Sequence, residues 1–226
     1  MSLAIRRYRA ADESAVYDIC VHTGDDGHDA TGKFADVRLL SDIYAGPYLY
    51  LEPDLAFVLA DDERPVGYVI GTAGTAAFVE SYRDKWLPRV ASARPAPPPV
   101  PVTADEHLLA TLYHPERMLN QALSNFPAHL HIDVLPAYQG GGHGRRLIET
   151  FVAAVTRAGA GGLHVAVSPT NTRAHGFYLR VGFERLDIAG DGAYYYGVRT
   201  GHEETGHGKT GHGKTEEAPI DPPPHP

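Results

Sequence analysis

The sequence predicts an α/β domain in which a mixed central β-sheet is flanked by helices, and three observations carry this prediction. Short apolar runs of strand length alternate along the chain with longer amphipathic segments. Two of these runs, at 55–60 and 66–72, surround the turn-forming segment DDERP and predict a hairpin. The resulting order of strands and helices is typical of a mixed sheet that is covered by helices.

The first half of the chain begins with a predicted strand over 4–9 and a predicted helix over 12–20. This helix has a start signal in Asp-Glu-Ser and then apolar residues at helical spacing. A further helix is predicted over 76–90. Residues 104–124 predict one or two helices, with a break at the His-Pro pair 114–115.

The second half contains the strongest helix signal, over 142–157, where apolar side chains recur on one face and glycines follow the last turn. That face consists of Leu147, Ile148, Phe151, Val152 and Val155. Another helix is predicted over 171–181, with Gly182 as its stop signal. The remaining strands are predicted at 129–135, 163–167, 182–183 and 194–198.

The globular domain is predicted to span residues 1–199. Within it, the proline-rich segment 94–104 predicts a loop or an insertion. Residues 200–226 contain a five-residue Thr-Gly-His-Gly-Lys repeat, few apolar side chains and a proline-rich end, which predicts a disordered tail. This tail matches the phosphate-binding pattern GxxxxGK[ST] at 208–215, but no strand precedes it, so we assign the match to the repeat.

Composition and charge exclude several classes of function. The 226 residues carry a net charge of −8 and the pI is about 5.9, which disfavours nucleic acid and anionic membranes as partners. The single cysteine, Cys20, excludes an internal disulfide and a cysteine-based zinc site, and we predict no metal. Neither a signal peptide nor a run of about 20 apolar residues is visible, so a cytoplasmic location is expected.

The most informative segment, 134–146, reads VLPAYQGGGHGRR and joins a predicted strand to the strongest helix. Its glycines allow successive backbone N–H groups to turn inward, and the helix N-terminus adds partial positive charge. Arg145 and Arg146 add two full charges. The segment therefore predicts a phosphate or pyrophosphate ligand, the alternative being a glycine-rich turn without a ligand. The dinucleotide fingerprint GxGxxG with its acidic partner is not met.

The second informative segment, 171–183, combines a helix cap with a tyrosine on an apolar face. Asn171 is a favourable N-cap residue. Packing in the core accounts for Phe177 and Val181, whereas the hydroxyl of Tyr178 requires a polar partner. Tyr178 is therefore a candidate for a role beyond packing.

Together, the two segments resemble the GNAT superfamily of acetyl-CoA-dependent N-acetyltransferases. The resemblance rests on the Q/R-x-x-G-x-G/A loop and on a later group of residues, namely Gln139, Gly142, Gly144, Asn171, Tyr178, Gly182 and Phe183. It covers most of the predicted domain. It implies the GNAT fold, acetyl-CoA as the cofactor, and a small-molecule or peptide amine as the acceptor that attacks the thioester directly.

The resemblance also implies roles for individual residues. The amides of the glycine loop would hold the CoA pyrophosphate, the end of the preceding strand would pair with pantetheine, and Asn171 would orient the cofactor. Tyr178 would protonate the leaving CoA thiolate. The implied cofactor-binding residues are Val134, Leu135, Gln139, Gly140, Gly141, Gly142, His143, Gly144, Arg145, Asn171 and Tyr178.

The sequence leaves the general base open. Some GNAT relatives carry a glutamate on the strand after the long helix, but the matching position here is Ala166. Asp133 on the preceding strand is the first candidate, and His129 and His131 are the second; a structural role is the alternative for each. The acidic segment 25–29 has two interpretations: its charges attract a cationic amine substrate, or it is a solvated loop without a role in binding.

A closer resemblance is to the acetyltransferase-like domain at the C-terminus of animal O-GlcNAc-hydrolysing enzymes. The segments IRRYRAADESAVYDIC, FVLADDERPVGYVIGT and NFPAHLHIDVL carry it. This chain looks like a stand-alone bacterial-type version that keeps the glycine loop, which the animal domain lacks in good form, so CoA binding is expected. The alternative to catalysis is a CoA-binding or protein-interaction module without turnover. The sequence leaves the oligomeric state of the protein open.

Overall fold

The computed structural model describes residues 2–188 and 192–201 of the chain. Of the tail predicted as disordered, 200–226, all but the first two residues lie outside these described residues. Just before it, Thr200 is buried and its hydroxyl donates a hydrogen bond to the carbonyl of Ala160. The carbonyl of Thr200 accepts a further bond from Thr156 at 2.9 Å, so the chain is tied to the folded body up to this point.

Seven strands form one mixed sheet, which confirms the predicted fold class. In chain order, they are β1 (Leu3–Arg7), β2 (Phe57–Asp61), β3 (Arg64–Thr72), β4 (Ala128–Val134), β5 (Gly162–Val167), β6 (Glu184–Leu186) and β7 (Tyr194–Arg199). Their order across the sheet is β1-β2-β3-β4-β5-β7-β6. All neighbours are antiparallel except β4 and β5, which run parallel.

Within residues 2–188 and 192–201, eight α-helices cover the two faces of this sheet. In chain order, they are α1 (Glu13–Thr23), α2 (Arg38–Tyr44), α3 (Gly46–Leu51), α4 (Thr75–Ser81), α5 (Leu87–Ala91), α6 (Ala104–Tyr113), α7 (His143–Arg157) and α8 (Thr172–Arg180). A π-helical segment, Tyr82–Trp86, joins α4 to α5, so these three together form the helix predicted at 76–90. The break predicted after α6 is present, and a 3-10 turn over Pro115–Met118 follows it.

Helices α2 and α3 were not predicted from the sequence. Both are short, and most of their side chains are buried, including the polar Ser41 and Asp42. A helix buried on nearly all sides lacks the polar face that makes a 3.6-residue period visible in a sequence. The predicted strand 182–183 is also displaced, since β6 begins at Glu184 and Gly182 adopts a φ of 97° in the turn before it.

The sheet separates two apolar cores. Along β3, Tyr68 and Ile70 point into the core that contains α1 to α6, whereas Val69 points into the core that contains α7. This alternation follows from the two-residue period of a strand. Helix α7 packs closely on the sheet because Gly71 has no side chain, since a Cβ there would lie 2.6 Å from the Phe151 ring. The fold thereby fixes where α7 begins.

The parallel pair β4 and β5 separates soon after it forms. Only Ala128 with Leu163 and His129 with His164 are paired between the two strands. Beyond these pairs, β4 stays hydrogen-bonded to β3 as far as Val134. A wedge-shaped opening therefore interrupts the middle of the sheet, next to the start of α7.

The proline-rich segment 94–104 is anchored at both ends. At its start, the Arg94 guanidinium lies 2.7 Å from the buried carboxylate of Asp42 and 3.0 Å from that of Asp36. At its end, Thr103 caps α6 in a capping box with Glu106. The segment leaves the body after α5 and returns to it at α6.

The Arg94–Asp42 pair predicts a large loss of stability on substitution. Asp42 is 4 % exposed and also accepts a hydrogen bond from Tyr17, so Arg94→Ala leaves a buried charge without its cation. We expect the free energy of unfolding to fall by about 3–5 kcal/mol in urea titrations. Arg7→Ala is the matched control: the Arg7–Asp54 pair is exposed, and such pairs contribute about 0–1 kcal/mol. Equal losses in the two variants would contradict the expectation.

Candidate active site

The candidate active site is a cleft of about 980 Å³ at the point where β4 and β5 separate. One wall comes from the end of α1, from α2 and from β4. The other comes from the glycine loop, the end of β5 and α8. The predicted site segments, far apart in the chain, therefore line one continuous cleft.

The glycine loop adopts the conformation that an anion site requires. Gly140 and Gly142 have φ values of 83° and 77°, which other residues rarely adopt, and Gly142 is the N-cap of α7. The first intrahelical bond runs from Arg146 N–H to the Gly142 carbonyl. Within the described part of the chain, the N–H groups of 140–145 have no backbone acceptor. These amides are the unpaired donors that make a helix N-terminus bind anions.

Three arginines add positive charge on this side of the cleft. Arg145, Arg173 and Arg180 all line it, and Arg145 donates a hydrogen bond of 2.6 Å to the Arg180 carbonyl. Arg146 does not line this cleft, contrary to the expectation that both loop arginines would serve it. One position along α7 turns its side chain by about 100°, and Arg146 lines a shallow depression beside Glu149 instead.

The end of β4 presents backbone groups to the cleft. Leu135 donates its N–H to the Val66 carbonyl on β3, and because orientation alternates along a strand, Val134 faces the open side. The Val134 carbonyl accepts a bond of 2.7 Å from the Gln139 side chain, whose oxygen accepts one from Arg173. Gln139 thus ties the strand end to α8 and leaves the Val134 N–H directed at the cleft.

Most of the predicted cofactor-binding residues line the cleft. Those that do are Val134, Gln139, Gly140, Gly142, His143, Gly144, Arg145, Asn171 and Tyr178. Leu135 and Gly141 lie outside the lining. Leu135 is held against β3 by the bond described above, and the imidazole of His143 lies over Gly141, 2.7 Å from the position of an added Cβ.

Asn171 and Tyr178 enter the cleft from α8. Asn171 caps the helix, and its side-chain oxygen accepts a hydrogen bond of 3.1 Å from the Ala174 N–H. Tyr178 is 7 % exposed, with its ring beside Phe183 and Tyr196. Burial, reinforced by the negative charge of Asp133, raises the pKa of Tyr178 well above its usual value. The phenol therefore keeps its proton at neutral pH and is a hydrogen-bond donor.

Asp133 is the half-buried carboxylate at the centre of the cleft. It faces Tyr68 across the β3–β4 ladder, and the Tyr68 hydroxyl donates a bond of 2.5 Å to Oδ2. Burial raises the pKa of Asp133 to about 7, and the hydrogen bond from Tyr68 partly opposes this rise. A carboxylate with this pKa both accepts and releases a proton near neutral pH.

The two candidate histidines are neutral at pH 7. His129 is buried, and its ring nitrogens lie 2.8 Å from the Tyr48 hydroxyl and 2.7 Å from the Thr75 hydroxyl. Burial and the neighbouring imidazoles hold the pKa of His129 well below its usual value. His131 lines the cleft, and burial, with a contribution from Arg117, lowers its pKa to about 4. The geometry thus favours Asp133 over either histidine as a base.

The acidic segment 25–29 contributes one carboxylate to the cleft. Asp26 and Gly27, with φ values of 50° and 88°, form the tip of a tight hairpin, and both line the cleft. The Asp26 carboxylate accepts a hydrogen bond of 2.5 Å from Thr170, on the opposite wall. Asp25 pairs with Lys33 and Asp29 with His22, so these two carboxylates are engaged within the loop region.

Sequence reasoning missed several residues of the cleft. Cys20, Thr23, Leu40 and Tyr44 line the wall opposite the glycine loop, and Tyr68 supports Asp133 from β3. All of them read as ordinary core residues because helical and strand periodicity marks burial and not proximity to a site. A signal was available for Tyr68 alone, because the pairing of β3 with β4 places it beside Asp133.

The residues present fit coenzyme A. Positive-φ glycines, a row of unpaired amides at the start of α7 and three arginines form a donor set for a pyrophosphate. The free edge of β4 offers backbone groups to an extended amide chain such as pantetheine. In residues 2–188 and 192–201, no group of three or more His, Cys, Asp or Glu side chains could hold a metal ion. No helix in those ranges has the length and apolarity needed to cross a membrane.

Comparisons with known proteins agree with this geometry. The sequence profile of the Acetyltransferase (GNAT) family matches residues 30–183. A crystal structure of SsHAT is 45% identical, with a TM-score of 0.86 over 89% of this chain and 100% of that chain. The PaiA N-acetyltransferase of Thermoplasma acidophilum, crystallised with coenzyme A, shares the fold at 13% identity and a TM-score of 0.53, over 88% of this chain and 99% of that one.

Curated relatives include protein O-GlcNAcase of Rattus norvegicus, 25% identical over 189 residues. The match covers 82% of this chain but only 20% of that protein, so the similarity concerns one region of a much longer chain. The O-GlcNAcase of Mus musculus matches to the same extent. The family profile, the fold and the cleft agree, and the chain therefore belongs to the GNAT family of acetyltransferases.

Proposed function

We propose that this protein is an acetyl-CoA-dependent N-acetyltransferase that transfers the acetyl group to a primary amine by direct attack. The observation that carries the proposal is the placement of two groups in one cleft. Asp133, with a pKa of about 7, lies toward α1 and α2, and the protonated Tyr178 lies on α8. Bound acetyl-CoA supplies an acetyl group activated as a thioester.

The two sides of the cleft have opposite charge, which supports this orientation. The side formed by the glycine loop and α8 carries Arg145, Arg173 and Arg180 and suits the phosphates of CoA. The side formed by α1, its following loop and β4 carries Asp26 and Asp133. A cationic amine is therefore attracted to the side that holds the base.

Asp133 acts as the general base in this proposal. An amine arrives as an ammonium ion, and nitrogen attacks only after losing a first proton; its second proton leaves as the amide forms and restores the proton that Tyr178 gives up. The Asp133 carboxylate accepts the first proton, and Tyr68 fixes its orientation through the bond to Oδ2. The backbone N–H of Val134 lies one residue further along β4 and is directed at the cleft, where it can polarise a carbonyl oxygen.

Tyr178 acts as the general acid. Tyr178 would donate its proton to the CoA sulfur as the bond from that sulfur to the acetyl carbon is broken. Tyr178 lines the cleft and remains protonated at neutral pH, since burial raises its pKa. The rings of Phe183 and Tyr196 lie beside Tyr178 and hold its side chain in place.

Tyr178→Phe tests the proposed acid. We expect kcat to fall by about 10²-fold with the dissociation constant of acetyl-CoA unchanged, because the ring is retained and only the proton donor is lost. Turnover would be followed by release of the CoA thiol and binding by calorimetry. Phe177→Tyr, which changes the preceding residue of α8, is the control for a change in the number of tyrosine hydroxyl groups on this helix. A tenfold loss of cofactor affinity in Tyr178→Phe, with kcat unchanged, would assign Tyr178 to binding instead.

A second candidate function rests on Ala166. This exposed residue lines the cleft on β5, at the position where some GNAT relatives carry a catalytic glutamate, and a methyl group cannot move a proton. A CoA-binding module without turnover would bind acetyl-CoA but release no thiol with any amine. Calorimetric binding together with an amine screen at pH 8 separates the two functions.

A further inference from the structure

A chain of hydrogen bonds runs through the core and ends at His131 in the cleft. The Thr75 hydroxyl lies 2.8 Å from the carbonyl oxygen of Pro127 and 2.7 Å from His129 Nδ1. His129 Nε2 lies 2.8 Å from the Tyr48 hydroxyl, which in turn lies 3.1 Å from His131 Nε2. Thr75, Tyr48 and His129 are all buried, so each of these contacts must contain one proton.

The Pro127 carbonyl fixes the direction of every proton in this chain. A carbonyl oxygen only accepts, so the Thr75 hydroxyl donates to it and accepts from His129 Nδ1–H. His129 is neutral, so its Nε2 carries a lone pair and accepts the hydroxyl proton of Tyr48. The Tyr48 oxygen then accepts from His131 Nε2–H. In the neutral His131 ring, the remaining nitrogen, Nδ1, is left with an unshared lone pair.

His131 Nδ1 has no hydrogen-bond partner among the residues that the structure describes. His131 lines the cleft and is half-buried. It lies two positions before Asp133, so both side chains project from the same face of β4, separated by about 6.6 Å along the strand. Tyr44 packs edge-on against the ring of His131, at 5.7 Å between centroids, and holds it in place. The cleft therefore offers a fixed hydrogen-bond acceptor beside the proposed base.

We propose that His131 is an acceptor-binding residue that selects amines with a second hydrogen-bond donor close to the reacting nitrogen. The inference rests on the proposed function, because it places the amine at Asp133. A hydroxyl or N–H separated from the amine nitrogen by two or three carbons reaches Nδ1 while the nitrogen is bonded to Asp133. The substrate class is thus a short amino alcohol, or a larger molecule that contains this unit.

The structure argues against a second catalytic base at His131. Arg117 and burial hold its pKa at about 4, so it does not retain a proton taken from an ammonium ion near pH 7. The proton on Nε2 is committed to Tyr48. His131 is consequently a recognition residue, and Tyr48, His129 and Thr75 are positioning residues that set which of its nitrogens faces the substrate.

Matched pairs of acceptors test the inference in the full-length protein. Ethanolamine is compared with n-propylamine, and 3-amino-1-propanol with n-butylamine, with rates expressed per concentration of free base. Each pair differs by a hydroxyl in place of a methyl group. We expect wild-type kcat/KM to favour the amino alcohol by about tenfold, the effect of one good hydrogen bond. In His131→Phe, which keeps a ring but has no lone pair, the ratio should fall to about one.

The possible outcomes separate this inference from the proposed function. Equal kcat/KM for alcohol and alkyl amine in the wild type would overturn the role of His131 while leaving N-acetylation intact. An unchanged ratio of kcat/KM between amino alcohol and alkyl amine in His131→Phe would also overturn the role of His131. If His131→Phe does not fold, Tyr48→Phe decides, because it frees the His131 tautomer and should reduce the ratio. If no amine is acetylated although acetyl-CoA binds, the proposed function fails and the inference with it.

Discussion

Asp133→Asn is expected to lower kcat for amine acetylation at pH 7 by about 10²–10³-fold while the affinity for acetyl-CoA stays unchanged. Asparagine has nearly the same shape and still accepts the hydrogen bond from Tyr68, so the cleft should retain its geometry. It cannot, however, take a proton from an ammonium ion. Steady-state kinetics with ethanolamine, together with calorimetric titration of acetyl-CoA, would measure both quantities.

The pH dependence of kcat/KM and of folding stability provides a second test of Asp133. Because the pKa of Asp133 is about 7, the carboxylate is mostly protonated below that pH, and wild-type kcat/KM should fall tenfold per pH unit there. Folding stability should also respond. The folded protein holds an extra proton between the unfolded pKa of about 4 and pH 7, so stability falls as pH rises through this window. Asp133→Asn should therefore raise Tm relative to wild type at pH 8 and not at pH 4.

Asp25→Asn is the matched control for the loss of one carboxylate near the site. Asp25 pairs with Lys33 and does not line the cleft, so this variant should keep the wild-type pH profile. Retention of activity in Asp133→Asn, with an acid limb still near pH 7, would show that another group removes the proton. Loss of acetyl-CoA binding would instead assign Asp133 to the cofactor site.

Gly142→Asp is expected to weaken the binding of acetyl-CoA by more than about 100-fold. Gly142 caps α7 at a φ of 77°, where an L-residue is strained, and its amide lies among the unpaired donors of the loop. An added carboxylate places negative charge where the pyrophosphate should bind, and it competes for the same N–H groups. Calorimetric titration of acetyl-CoA would measure the change in the dissociation constant.

Gly159→Asp separates this effect from backbone strain. Gly159 has a φ of 86° and open space around it, as Gly142 has, but it lies just beyond the opposite end of α7. We expect comparable losses of Tm in the two variants, with wild-type cofactor affinity in Gly159→Asp. Unchanged affinity in Gly142→Asp would refute the assignment of the loop to the pyrophosphate. An equal loss of acetyl-CoA affinity in both variants would show that the loss follows from reduced stability alone.

Much of the fold could be predicted because the relevant signals are local. The apolar face of α7 and its glycine boundaries lie within one segment, and the helix runs from His143 to Arg157 against a prediction of 142–157. The hairpin β2–β3 and the cap at Asn171 are equally local. Helices α2 and α3 were missed because burial on nearly all sides erases the helical period.

The candidate site was predictable in part for the same reason. The loop from Gln139 to Arg145 was predictable from its glycine spacing and the helix that follows, because an anion site of this kind is built from consecutive backbone amides. The direction in which a side chain projects is set by the helix that follows, and the loop alone did not show that Arg146 would turn away. The tautomer of His131 depends on Thr75 and Tyr48, which no local pattern connects to it.

By itself, the sequence determined the class of fold, the position of the glycine loop that we propose to bind the pyrophosphate, and the family resemblance carried by Gln139, Gly142 and Tyr178. Only the tertiary structure showed which carboxylate has a proton affinity suited to the proposed base. The pKa of Asp133 is about 7 because α1 and β3 bury it, and its hydrogen-bond donor, Tyr68, is 65 residues away in the chain. Burial and long-range polar contacts are properties of the packed molecule, and these set the proton affinity of a side chain.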